Sequence, residues 1–275
     1  MPEVELKPCF LTPKRVKPEF PLFVYLPGMD GTGQLLRSQT SGLEASFDVR
    51  CLAIPRKDLT SWEELTNNVL DLIHAELEKS SQRSVYLCGE SFGGCLAMKV
   101  ATKASHLFKR IILINPASAF RLRPFLDWAS QLTHLVPESL YDVGALGLLP
   151  FLASLDRLTR SDRQELLKTM RSVPSITVNW RLGLLREFQV DDSKLSCLTQ
   201  EVFLIAGAGD RLLPSVEEVR RIAAILPNAQ VLVLPNSGHA CLLEKDINLY
   251  EILKENNFLE TRDNNVYELE LKKAG

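Results

Sequence analysis

The chain has almost no charge imbalance, few histidines, no paired-cysteine motif and no long apolar run. Lys and Arg number 32 against 34 Asp and Glu, a net charge of −2, which gives no electrostatic reason to expect nucleic acid. The basic run from Lys7 to Lys17 is broken by prolines and lacks interleaved aromatics, so it reads as a solvated edge. Six cysteines (Cys9, Cys51, Cys88, Cys95, Cys197 and Cys241) are scattered, with no CxxC pair and no metal-ligand spacing. They read as reduced thiols in a cytosol-like compartment, and neither a metal nor an organic cofactor is expected. No stretch approaches the ~20 apolar residues that span a bilayer. The first twenty residues carry charges and prolines without the apolar core of a secretory signal. The expectation is a cytoplasmic protein, with peripheral membrane contact left open. Oligomeric state is not encoded in any legible form.

What is present is a hydrophobic content of 45% in 275 residues, enough for a large α/β domain or a domain with an insertion. Apolar strand-like runs alternate with helical patterns, which predicts a mostly parallel central sheet flanked by helices. The strands are Pro21–Leu26, Val49–Ile54, Ser84–Cys88, Arg110–Asn115, Glu201–Gly207 and Gln230–Leu234. Helices are expected near Gln34–Ala45, from a capping box at Ser61-Trp62-Glu63-Glu64 to about Glu78, and from a second box at Ser215-Val216-Glu217-Glu218. A last helix is expected over Asp246–Asn256, after an N-terminal edge over Val4–Val16. The alternating tail from Glu260 reads as an added strand or an ordered tail.

Residues 117–200 interrupt this pattern. They carry one apolar cluster from Phe120 to Leu140, including Trp128, and a second from Leu146 to Leu155, including Leu149. Ser161-Asp162-Arg163-Gln164 then opens an amphipathic helix. The interval is too long for a structureless loop. It predicts a helical cap or lid inserted into a core of 1–116 and 201–275, with Trp128 and Leu149 lining an apolar substrate pocket. The plainer alternative is a cover for the sheet edge.

Gly89-Glu90-Ser91-Phe92-Gly93 lies between an apolar strand and a small-residue helix, the context of a nucleophile elbow. A serine hydroxyl needs a base to take its proton and a carboxylate to orient that base. Asp210 follows the Glu201–Gly207 strand and His239 follows the Gln230–Leu234 strand, so Ser, Asp and His come in hydrolase order. Asp210 could instead cap a turn, and His239 could be a solvated loop residue. The other histidines sit in blander places: His74 on a charged helix face, His106 in a turn, His134 in an irregular segment. The oxyanion donors should be the N–H groups of Phe92 and of Met29, the latter in Pro27-Gly28-Met29-Asp30-Gly31-Thr32-Gly33. That loop has no GxxxxGK[ST] or GxGxxG spacing, which argues against a phosphate cradle.

The order of Ser91, Asp210 and His239, the Met29 loop and the inserted segment together resemble the α/β-hydrolase superfamily. Leu26-Pro27-Gly28-Met29-Asp30-Gly31-Thr32-Gly33, Phe47-Asp48-Val49, Gly89-Glu90-Ser91-Phe92-Gly93 and Asn115-Pro116-Ala117 are more closely similar to the hydrolase part of phytyl ester synthases, an esterase/lipase/thioesterase group of photosynthetic organisms. The resemblance implies lipophilic acyl or prenyl esters or thioesters as substrates, with transfer to a long-chain alcohol such as phytol as an alternative outcome. Those synthases also carry an acyltransferase domain with an H-x4-D motif. No histidine here has an Asp five positions on, so hydrolysis is the expected outcome. The rival readings are an acyltransferase drawing on acyl-CoA, acyl carrier protein or a galactolipid, and a non-catalytic protein binding lipophilic ligands on the same fold.

Overall fold

The computed structural model describes residues 7–13, 15–80, 83–122 and 147–260. Among these residues seven strands form one sheet: β1 (Cys9–Leu11), β2 (Leu22–Leu26), β3 (Asp48–Ala53), β4 (Val85–Glu90), β5 (Arg110–Ile114), β6 (Glu201–Gly207) and β7 (Ala229–Leu234). Their order is β1-β3-β2-β4-β5-β6-β7. Only the short β1 runs antiparallel, pairing Phe10 with Leu52. Every other neighbouring pair is parallel. The interior strands read as unbroken apolar runs because both faces are covered.

Alternate residues serve the two faces. Val24, Leu26, Leu87, Leu113 and Leu204 pack beneath α2 (Trp62–Lys79), α3 (Phe92–Lys103) and part of the β5–β6 connection. Phe23, Tyr25, Cys88, Ile112 and Phe203 pack on the other face, against α1 (Arg37–Leu43) and the C-terminal helix. Ser61 caps α2 as expected: its hydroxyl accepts the Glu64 N–H at 3.2 Å, and the Glu64 carboxylate accepts the Ser61 N–H at 3.0 Å. Trp62, Leu65, Val69 and Ile73 then fall on one buried stripe.

Between β5 and β6 lie a 3-10 turn (Ala117–Leu122), helical residues 147–152, a second 3-10 turn (Leu155–Arg157), α4 (Arg160–Arg171), α5 (Ser175–Glu187) and α6 (Asp192–Ser196). Then α7 (Ser215–Ala223) joins β6 to β7, and α8 (Leu249–Glu255) closes the described fold. Three helix N-termini are capped differently from expectation. Thr159, not Ser161, caps α4 by accepting the Asp162 N–H. Asn248 caps α8, so that helix begins after Ile247. The box expected at Ser215 is absent: Pro214 precedes α7 without a side-chain cap. Ser215 donates instead to Asp210, and Glu218 is held by Ser118 and Arg221. Trp128, with most of the first apolar cluster, and the tail beyond Glu260 lie outside the described residues. Among the described residues no helix is long and apolar enough to cross a membrane.

The chain runs from β2 outward to β3, then returns to place β4 on the other side of β2. Such a reversal opens a crevice beyond the carboxyl ends of the two central strands. The loops that follow β2 and β4 meet there.

Candidate active site

Ser91 occupies the turn from β4 into α3 with φ 54° and ψ −116°, a left-handed setting that a side-chain-bearing residue adopts only under constraint. Both elbow glycines are sterically required. A Cβ at Gly93 would stand 2.0 Å from the Leu26 carbonyl oxygen, and one at Gly89 2.3 Å from that of Gly93. The Ser91 N–H is fixed by the Ile114 carbonyl at 3.0 Å.

The structure brings Ser91, His239 and Asp210 together. His239 Nε2 lies 2.8 Å from Ser91 Oγ, and Nδ1 lies 2.7 Å from Asp210 Oδ2. With Nδ1 protonated against the carboxylate, Nε2 is left free to accept the serine proton. Asp210 also does the turn-capping work that its sequence context suggested, since Oδ1 accepts the Leu212 and Leu213 N–H groups at 2.8 and 3.0 Å. One carboxylate oxygen thus holds the turn while the other faces the imidazole. The side chains of His239 and Asp210 are 4% and 0% exposed, whereas Ser91 is only half-buried.

The loop after β2 runs beside the nucleophile: a Cβ at Gly28 would lie 3.8 Å from that of Ser91. Met29 follows directly. Phe92 opens α3, so its N–H has no carbonyl partner inside the helix. Both expected oxyanion residues therefore border Ser91. Leu149 is buried with Ala153, Leu158, Leu166 and Leu243, a cluster that also touches Ala240 beside His239.

Residues 55–246 match the alpha/beta hydrolase fold family. The chain belongs to that family. Phytyl ester synthase 1, chloroplastic, of Arabidopsis thaliana is 34% identical over 85% of this chain. The match covers 36% of that relative, so this chain spans about a third of its length. Pimeloyl-(acyl-carrier protein) methyl ester esterase of Aromatoleum aromaticum is 28% identical, with 81% of this chain and 92% of the relative covered. Among solved structures, MGS-M2, an alpha/beta hydrolase from a Medee basin deep-sea metagenome library, superposes with a TM-score of 0.75 at 16% identity. That match covers 93% of this chain and 96% of MGS-M2.

Electrostatics at this site follow from burial and pairing. Burial opposes the charged imidazole of His239, but the Asp210 charge, its hydrogen bond and the Glu90 charge together raise its pKa above the ordinary histidine value. Burial likewise opposes the Asp210 carboxylate, yet the His239 charge and hydrogen bonds from His239, Ser215 and Leu213 bring its pKa below the usual range. For Glu90 burial outweighs both the Tyr25 hydrogen bond and the His239 charge, and pushes its pKa up to about 7.

Two residues with no role assigned from the sequence hold the candidate site together. Asn115, fully buried with φ 43°, donates its side-chain amide to the His239 carbonyl at 2.6 Å and accepts the Gly207 N–H at 2.8 Å. It ties the end of β5 to the end of β6 and to the histidine loop. Glu244 accepts the Gly238 N–H at 2.8 Å and pairs with Arg157 Nε at 2.6 Å. An Asn ending a strand just before a proline was the available signal for the first. Nothing local marks the second.

Proposed function

We propose that this chain is a serine esterase-type hydrolase acting on lipophilic acyl or prenyl esters or thioesters through an acyl-enzyme. The observation that carries this reading is His239 set between Ser91 and Asp210 at 2.8 and 2.7 Å. His239 takes the Ser91 proton as the oxygen attacks the acyl carbon, and Asp210 keeps the imidazole in the required tautomer. The N–H groups of Phe92 and Met29 receive the oxyanion. His239 then returns the proton to the departing alcohol or thiol. Water, activated by the same imidazole, attacks the acyl-serine and frees Ser91.

Residues 117–200 are proposed to act as the cap, with Leu149 on its pocket side. The lipophilic substrate class draws its support from the 34% identical phytyl ester synthase. The same likeness favours a second reading, in which a long-chain alcohol replaces water as acceptor. Because the match covers 36% of that relative, transfer needs its own assay. Turnover of p-nitrophenyl esters from two to sixteen carbons, with and without a long-chain alcohol, tests both readings. Each methylene buried contributes up to about 0.8 kcal/mol, so kcat/KM should climb by about two orders of magnitude over four carbons. A fall beyond four carbons would make this a small-ester hydrolase. An ester product in place of free acid would make it a transferase. The cytoplasmic expectation stands beside a relative named as chloroplastic, and cell fractionation of a tagged chain decides between the two.

A further inference from the structure

One guanidinium from the β5–β6 connection reaches the loop that carries Met29. Arg181 in α5 is 2% exposed. Burial lowers its pKa, against the charges of Asp30 and Asp58. A cation so enclosed ordinarily takes a carboxylate as its hydrogen-bond partner. Arg181 instead donates Nη1 to the Met29 carbonyl at 2.6 Å and Nη2 to the Pro55 carbonyl at 3.4 Å. The carboxylate of Asp30 is turned to its own loop, accepting the Thr32 N–H at 2.8 Å and the Thr32 hydroxyl at 2.5 Å. The guanidinium lies over Gly31, which has φ +69°, and a Cβ there would be 2.7 Å from Nη1 and 2.9 Å from Nη2. The Asp30-Gly31-Thr32 sequence is therefore a seat shaped for Arg181.

The same helix reaches the other oxyanion residue through Trp62. The Trp62 indole donates to the Leu184 carbonyl of α5 at 2.8 Å. Its ring stacks on Phe92 at 4.6 Å between centroids and meets Phe188 edge-on at 5.5 Å. Trp180, next to Arg181, donates to the Thr60 carbonyl at 2.9 Å. One face of α5 thus braces Met29 directly and Phe92 through one intervening ring.

We infer that Arg181 is a positioning residue that sets the oxyanion hole by holding the Met29 carbonyl. The inference rests on the proposed roles of Ser91, Met29 and Phe92. The Met29 carbonyl lies in the peptide plane after its Cα and the Met29 N–H in the plane before it. The clamp therefore anchors the residue on one side and leaves only the φ and ψ of Met29 to move the N–H proposed to meet the developing charge. The cation also adds a favourable potential, one residue from the hole, in a site shielded from water. A donor that wanders from its place costs transition-state binding and leaves ground-state binding intact.

The test uses the full chain with Arg181→Lys and Arg181→Gly. Steady-state kinetics on one p-nitrophenyl ester are paired with inhibition by the trifluoromethyl ketone of the same acyl group, which forms a tetrahedral oxyanion adduct. The expected result is a fall in kcat of about 10- to 100-fold, with KM little changed and affinity for the ketone reduced by the same factor. Added guanidinium at low, non-denaturing concentration should restore activity to Arg181→Gly, while sodium chloride should not. Should the single variants fail to fold around an unpaired Asp30, the double change Arg181→Met with Asp30→Asn removes that charge and is assayed in the same way. Unchanged kcat, or a change confined to KM, overturns the inference. Fluorophosphonate labelling of Ser91 separates the two levels. A parent enzyme that does not label overturns the site reading and this inference with it. Normal labelling with unchanged kcat in the variants overturns this inference alone.

Discussion

The two ends of the sheet bury charge in opposite ways. Where the strands begin, Asp48 and Glu76 face Arg50 and Arg83. Arg50 meets Asp48 at 2.6 Å and Glu76 at 2.8 Å, and Arg83 meets Asp48 at 2.6 Å. Burial alone would raise both carboxylates, but the arginine hydrogen bonds on Asp48, and those of Lys79 and Arg50 on Glu76, leave their pKa values lowered. Where the strands end, burial raises Asp30 despite the Thr32 hydrogen bonds and the Arg181 charge, and raises Glu90 despite the Tyr25 hydrogen bond and the His239 charge. The lesson is a division: at one end arginine pairs hold the carboxylates ionised and stabilise the fold, and at the other burial outweighs the partners of Asp30 and Glu90.

That contrast can be broken or sharpened by substitution. The largest effect is expected at Ser91. Ser91→Ala should lower kcat/KM by about 10⁵-fold with the melting temperature nearly unchanged, as steady-state kinetics and calorimetry would show. Equal activity would remove the nucleophile from the account. Next, Asp210→Asn should cost about 10⁴-fold and also move the pH profile. The rate requires neutral His239, so kcat/KM should rise with pH through a midpoint above the ordinary histidine value. Without the Asp210 charge, burial dominates and lowers the imidazole pKa, so the midpoint should move to lower pH. A midpoint that stays in place would dissociate the two residues.

At the other end, Arg50→Met should destabilise the fold by about 3 kcal/mol, because the buried Asp48 is left with Arg83 as its ion-pair partner and Glu76 with Arg83 and Lys79. Denaturant unfolding measures that loss, and activity per folded molecule should hold. A fall in kcat there would blur the division between the two ends. The smallest effect is expected for Asn115→Ala, which touches both sides of the distinction. Loss of its bonds to His239 and Gly207 should cost about 1–3 kcal/mol of stability, with a fall in kcat, read from the same two assays. Full activity would show that the histidine loop is held adequately by Glu244.

Much of this was legible in the sequence, for identifiable reasons. Strands buried on both faces leave continuous apolar runs, and a tight βα turn leaves its glycines, so the parallel sheet and the Ser91 elbow could both be read. Asp210 and His239 follow strands directly, and strand ends fix position without reference to distant contacts. Ser215 could not be read correctly. Its local pattern is a capping box, but Asp210 lies close enough to recruit the hydroxyl. Asn115 and Arg181 were invisible as bonding partners because Asn115 pairs across 124 residues and Arg181 across 152, and no local spacing records such contacts. Glu244 looks like any charged residue in a turn until its bond to Gly238 is seen.

The central claim is that Ser91, His239 and Asp210 form one working nucleophilic unit. Its most direct measurement is covalent labelling by a fluorophosphonate, with the modified peptide located by mass spectrometry in the parent and in His239→Ala. The account predicts rapid, stoichiometric modification of Ser91 in the parent and near-complete loss of labelling in the variant. Modification at another serine, or equal labelling of Ser91 without His239, would contradict it.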